Sequence, residues 1–161
     1  MDAVLTHLGL TRPDHPTIAF VRDLLAAYVR TVPWGSVARI ARKATHAPED
    51  RARDPEAFWA DVLARGGDGT CFESNGAVFA LLRDLGYEGY LTVNDMGDSI
   101  GCHSAIVLQI DGEKWLADFG LPIGVPLRLD PTQITIASWT FHEYAVVPSV
   151  EANHFAIIRS H

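Results

Sequence analysis

Between His15 and Val32 the apolar residues return at Ile18, Val21, Leu24, Leu25, Tyr28 and Val29. That spacing lays one buried stripe along a helix, which Pro33 ends. The following stretch, THAPEDRARD, is charged and carries a proline, so it reads as loop. DPEAFWADVLAR then predicts a short helix, with Asp54 as N-cap, Pro55 at the first helical position and a stripe of Phe58, Val62 and Leu63. Gly66 and Gly67 stop it. A further helical period runs through Phe72, Asn75, Val78, Phe79, Leu82 and Leu85, with Gly86 where a C-terminal cap belongs. Beyond Gly86 the period changes to two. GYLTVND, CHSAIVLQI, KWLADFG and QITIASWTFHEYAVV are strand-like, and Asp111-Gly112 between two of them is a strong hairpin signal. Helices first and strands afterwards predict an α+β fold. Residues 1–88 form a helical subdomain and 89–161 an antiparallel β-barrel or sheet subdomain.

Composition adds limits. The 161 residues suit one domain, or two subdomains on a shared core, and 48% are apolar, enough to build that core without staples. The formal net charge is -7, and no Lys/Arg cluster stands clear of acidic neighbours, which argues against nucleic acid or an anionic membrane as partner. The N-terminus is too short and polar for a signal peptide, and no apolar run approaches a membrane span. A cytoplasmic chain with two free thiols, Cys71 and Cys102, is the expectation. The seven histidines (7, 15, 46, 103, 142, 154 and 161) form no HxxxH pair, and there is no CxxC, so no metal site is expected.

One cysteine stands out. In RGGDGTCFESNG, Thr70 and Glu73 match a capping box, in which Thr70 accepts from the residue 73 amide and Glu73 reaches back to the Thr70 amide. Cys71 is then the first helical residue, where unpaired amides and the positive dipole end favour a thiolate. Glycines 66, 67 and 69 leave room for a substrate, and their amides are candidates for an oxyanion site. A lone cysteine is more often an inert small hydrophobe, so the decision turns on a base. A two-residue Asp-Gly loop pairs Ile110 with Glu113, Ala105 with Asp118 and His103 with Gly120. His103 and Asp118 then lie diagonally on one face, about 7–8 Å apart by backbone and within reach of a hydrogen bond. Ile106, Leu108, Ile110, Trp115 and Phe119 line the opposite, core-like face. Cysteine at a helix start with His and Asp on one hairpin face is the Cys-His-Asp arrangement for acyl transfer.

At these residues the chain resembles the arylamine N-acetyltransferase family, within the wider transglutaminase-like cysteine superfamily. RGGDGTCFESNGAVFALLRDLGY, HSAIVLQIDGEKWLADFG and PLRL carry the resemblance, with TVPWGSVAR a weaker match. It implies a cysteine-protease-like fold with an N-terminal helical bundle and a β-barrel. It implies Cys71 as acyl-accepting nucleophile, His103 as base and Asp118 as orienting acid, and Arg65 and Glu73 as a pair supporting the cysteine loop. It implies no permanently bound cofactor, acetyl-CoA as acyl-donor co-substrate, and a small-molecule amine acceptor. It places the loop of Gly69 and Thr70 under the substrate, and Phe72 and Phe119 are candidates for lining the acyl pocket. The chain departs from the family by three residues, Asp68-Gly69-Thr70, where one aromatic is usual, and by stopping before the family's C-terminal α/β lid.

Cys102 is expected in the core, as are Trp34, Trp59, Trp115 and Trp139; His142 reads as an exposed or hydrogen-bonded strand residue. Three functions stay open: acyl transfer through an acyl-Cys71, hydrolysis by the same triad as an amidase, thioesterase or peptidase, and a non-catalytic binding module. Intact Cys71, His103 and Asp118 argue against the last.

Overall fold

A computed structural model describes the chain except for Pro122, Phe141, Ala152 and His161, so Phe141 of the predicted strand run and His161 lie outside the described residues. Among the described residues, five α-helices come first: α1 (Asp2–His7), α2 (Ile18–Thr31), α3 (Val37–Thr45), α4 (Pro55–Arg65) and α5 (Cys71–Asp84). Seven strands follow: β1 (Glu88–Met96), β2 (Ser99–Ile110), β3 (Glu113–Ala117), β4 (Leu127–Arg128), β5 (Thr135–Trp139), β6 (His142–Pro148) and β7 (Phe155–Ser160). They form two antiparallel sheets, β1-β2-β3-β4 and β5-β6-β7. The fold is α+β, as the change of period predicts.

Local chemistry sets the helices that matter here. Thr17 caps α2, accepting from the Phe20 amide at 3.2 Å, and α2 buries Val21, Leu24, Leu25 and Tyr28. Asp54 caps α4, accepting from the Ala57 amide at 2.8 Å, and Gly66 ends it in the left-handed region at φ 66°. The α4 stripe differs from the expectation in one residue. Leu63 is exposed; Trp59 is buried, as expected, its indole N–H donating to the Ala77 carbonyl on α5 at 3.0 Å. Helix α3 buries none of its residues.

The β2–β3 hairpin is the central layer. Its two-residue turn holds Asp111 at φ 51° and Gly112 at φ 80°, and Ile110 pairs with Glu113, so the predicted register holds. Ile106, Leu108, Ile110, Ala117 and Phe119 face the helices and close the first core with α1, α2, α4 and α5. Ala105, Val107 and Leu116 face the other way and meet Leu127, Tyr144 and Val146 in a second core against the β5–β7 sheet. The long run predicted over 133–147 is two strands, turning near Thr140 at φ 24°. Among the described residues no helix is long and apolar enough to cross a membrane, and no group of three or more His, Cys, Asp or Glu could hold a metal ion.

Candidate active site

Strand β2 outruns its partner. Pairing with β3 ends at Ile106–Ala117, while β1 continues alongside β2 past His103. The vacated edge of β2 takes up residues 118–120 and the start of α5. The Cys71 thiol points at the Cys102 carbonyl, 3.8 Å away, which places the sulfur on the peptide leading into His103. Gly120 lies against Cys71 so closely that a Cβ on it would overlap Cys71 Cα and Cβ and stand 2.9 Å from Asn75 Nδ2. Only a residue without a side chain lets the hairpin and the helix start meet here.

His103 and Asp118 are both buried, and His103 Nε2 lies 2.6 Å from Asp118 Oδ2. The other carboxylate oxygen, Oδ1, accepts from Asn75 Nδ2 at 3.2 Å, from the Gly120 amide at 2.9 Å and from the Leu121 amide at 3.0 Å. An oxygen with three donors is fully engaged as an acceptor, so the short contact on Oδ2 reads as Nε2–H donating. The ring's Nδ1 then carries the lone pair. Asn75 does more than touch Asp118. It also donates to the Ser104 carbonyl at 2.7 Å and accepts from the Phe119 amide at 2.9 Å, fastening α5 to β2 and to the segment that follows β3. Sequence reasoning passed over this residue. The signal was there: a polar side chain on an otherwise apolar helical stripe asks for buried partners.

The loop before Cys71 departs from expectation in three ways. Thr70 stands at the N-cap but makes no side-chain cap bond, and Glu73 does not reach back, so the capping box is absent. Glu73 is instead clasped by Arg53: the Arg53 amide and Nε each reach Oε1 at 3.0 Å, and Nη2 reaches Oε2 at 2.8 Å. A charge-assisted, two-pronged partner outcompetes one neutral amide. Second, Arg65 is not the partner of Glu73. It lies exposed on α4 and pairs with Asp61. Third, the amides of Gly66, Gly67 and Gly69 donate to the carbonyls of Val62, Asp61 and Pro33, leaving none for an oxyanion.

Two of the three residues between Gly67 and Cys71 have a structural task. The Asp68 carboxylate accepts from the amides of Val37 at 2.7 Å and Ala38 at 3.0 Å, capping α3 from outside the helix. Gly69 is buried where a Cβ would meet Phe58 at 2.5 Å and the Ser74 hydroxyl at 2.8 Å, and its carbonyl accepts from Gly35. At the start of α5, the amides of Cys71, Phe72 and Glu73 have no carbonyl one turn back within the helix.

Burial alone would raise the Glu73 carboxyl, but the hydrogen bonds and charge of Arg53 outweigh it and hold it below the ordinary glutamate range. The same pairing raises the Arg53 guanidinium.

Other expected residues are distributed unevenly. Phe119 is buried, edge-on to Tyr28 with ring centres 5.3 Å apart, and with Tyr28, Trp34 and Ser74 it borders a small cleft. Phe72 is half exposed beside the cysteine. Trp34, expected in the core, is 66% exposed. Trp59 is buried, while Trp115 and Trp139 are partly so. Cys102, also expected in the core, is exposed, because the helical layer ends at Ser104 on that face of β2. His142 is a partly buried residue at the start of β6, its ring edge-on to Tyr144.

The sequence model of the N-acetyltransferase family matches residues 17–151. No curated protein matches the chain. Among solved structures, the chain is similar to an arylamine N-acetyltransferase from Bacillus cereus with a Cys-His-Glu catalytic triad, at TM-score 0.73 and 17% identity over 98% of this chain and 67% of that one. It is similar to the arylamine N-acetyltransferase from Mycobacterium abscessus at TM-score 0.73 and 23% identity, covering 98% of this chain and 56% of that one. It is similar to the one from Salmonella typhimurium at TM-score 0.69 and 20% identity, covering 98% and 61%. The chain thus spans between 56% and 67% of the length of these three proteins, and at such identities the likeness is one of fold.

Proposed function

The chain belongs to the N-acetyltransferase family, and on that premise we propose that it moves an acyl group from a thioester donor, acetyl-CoA in the first instance, through an acyl-Cys71 to an arylamine-type acceptor. The observation that carries this reading is the buried His103–Asp118 pair at 2.6 Å beside a cysteine at a helix start. Asp118 holds the imidazole with Nε2 protonated, so Nδ1 takes the Cys71 proton. The thiolate so formed attacks the thioester carbonyl. The first-turn amides of α5 are the candidates to meet the oxyanion. The donor's sulfur leaves with the proton that His103 held, and Cys71 keeps the acyl group. An amine then attacks the acyl-Cys71 carbonyl and gives its proton to His103. The amide departs and the thiolate is restored. Phe72, Phe119 and Thr70 are the residues we assign to the substrate's surroundings.

The test is intact mass after incubation with acetyl-CoA and with a simple aryl acetate. An acetyl adduct of the wild-type chain, missing in Cys71→Ala and discharged faster by an arylamine than by water, is the expected result. Adduct from the ester alone, cleared as fast by water, replaces transfer with hydrolysis by the same residues. No adduct from either donor overturns both readings.

A further inference from the structure

The loop that carries Cys71 is held by an arginine that motif spacing does not point to. Arg53 lies in the charged stretch before α4, and its side chain is fully buried. Nη2 grips the Asp68 carbonyl at 2.6 Å and Glu73 Oε2 at 2.8 Å, that is, three residues before the cysteine and two after it. Nε and the Arg53 amide hold Glu73 Oε1. Nη1 reaches Asp61 Oδ2 on α4 at 3.2 Å, and the guanidinium carbon sits 5.0 Å from the centre of the Phe58 ring. One planar group thus ties α4, the glycine loop and the first turn of α5 together. Arg65, four residues after Asp61 and directly before the two glycines, pairs with the other oxygen of that same aspartate, Oδ1, and has a side chain 72% exposed.

We propose that Arg53, and not Arg65, is the positioning residue for Cys71, fixing the sulfur and the first-turn amides of α5 against the His103 edge of β2. The inference rests on Cys71 being the nucleophile proposed above. Arg53 does not touch a reacting atom; it acts through the backbone on either side of the cysteine. Lysine cannot replace it, because a single ammonium cannot span Asp68 and both oxygens of Glu73 at once. A charge kept but a fork lost should therefore displace the cysteine while leaving the core in place. Displacements of about 1 Å are enough to lower a rate on the order of a hundredfold.

The two cysteines provide an internal comparison. With iodoacetamide, the ratio of Cys71 to Cys102 alkylation rates is read by peptide mass in wild type, Arg53→Lys and Arg65→Ala. Cys102 is exposed on β2 and reports general accessibility. The expected result is a ratio lowered about tenfold or more in R53K, with Cys102 unchanged, and a ratio within about twofold of wild type in R65A. A purely structural arginine would lower the melting temperature and leave the ratio in the folded protein alone, and that outcome overturns the assignment. So does an R65A ratio that falls as far as that of R53K. Should R53K fail to fold, Glu73→Gln, which keeps the side chain's shape and gives up the clasped charge, takes its place with the same expectation. Acylation by an aryl acetate is followed in parallel. Wild-type protein that alkylates at Cys71 but takes no acyl group defeats the transfer reading and leaves the arginine comparison standing.

Discussion

Gly120→Ala tests the packing that brings the hairpin to the cysteine. Gly120 does not have a positive φ, so alanine meets no backbone penalty there and the whole effect is steric. Its new Cβ would sit roughly 1 Å inside ordinary carbon contact distance of Cys71 Cα and Cβ, and 2.9 Å from Asn75 Nδ2. The obstructing atoms are the helix backbone and the stub of its first residue, so no flexible tip can swing away. Either the 118–120 segment or the start of α5 must shift by about the overlap. Overpacking of this kind costs about 1–3 kcal/mol, and at about 2–4 °C per kcal/mol for a chain of this length the melting temperature should fall roughly 2–12 °C. The same shift parts the sulfur from His103, and a misplacement near 1 Å is worth on the order of a hundredfold in rate. Differential scanning fluorimetry and the rate of acyl transfer from an aryl acetate to the cysteine are the two readouts. A variant that melts within about 1 °C of wild type and acylates at the wild-type rate would refute the close approach on which the site is built.

Gly76→Ala is the matching opposite: it is interior to α5 with nothing within 4 Å of a built Cβ, so it should stabilise by about 0.5–1 kcal/mol, and a lowered melting temperature would contradict that. Asn75→Asp keeps the shape but sets a second carboxylate 3.2 Å from Asp118 Oδ1 and removes the donor to the Ser104 carbonyl; a loss of about 3 kcal/mol or more is expected in urea denaturation, and an unchanged midpoint would dismiss the network. Because Arg53 holds the Glu73 carboxyl below its ordinary value, its contribution is present above the unfolded glutamate range and is lost as pH falls through the lowered one. Stability measured against pH should therefore drop on the acid side in wild type and drop less in Glu73→Gln; parallel curves would show that the pair does not titrate as described. Asp130, drawn down to about 2 by bonds from Thr132 and Gln133, keeps its local turn well into acid, and Asp130→Asn should abolish the loss of Thr132 amide protection that wild type shows near that pH; the same loss in the variant would refute the assignment.

What could be read from the sequence was local. Helix α2 announces itself through its period and the proline that ends it, helix α4 through its period and caps, and the Asp-Gly turn fixes a register that carries His103 to Asp118 across fifteen positions. The missed features are those decided by distant competition. Thr70 and Glu73 have the spacing of a capping box, yet nothing within four residues says that Glu73 will be taken by an arginine twenty positions earlier. Arg53 itself lies in a charged stretch that reads as a solvated loop, and burial reverses its meaning. Residue type misled in the same way for Trp34 and Cys102. Both are of kinds usually covered, and both stand where a layer ends: Trp34 in the chain leading to α3, which packs none of its residues into a core, and Cys102 past the last helical cover on β2.

The Asp68-Gly69-Thr70 loop and the use of Arg53 belong to one arrangement. A longer loop before the cysteine is a looser one unless its new backbone groups are bound, since each added residue carries conformational freedom that must be lost. Here the Asp68 carboxylate is occupied by α3, its carbonyl by Arg53, and the Gly69 backbone by Pro33 and Gly35. An arginine at position 65 precedes the loop and leaves it on the outer side of α4. One at position 53 enters from beneath, where it can meet the loop's carbonyl and the helix's first turn together. Asp68, Gly69 and Glu73 are thus bound on both sides of the cysteine, and Arg53 meets two of the three.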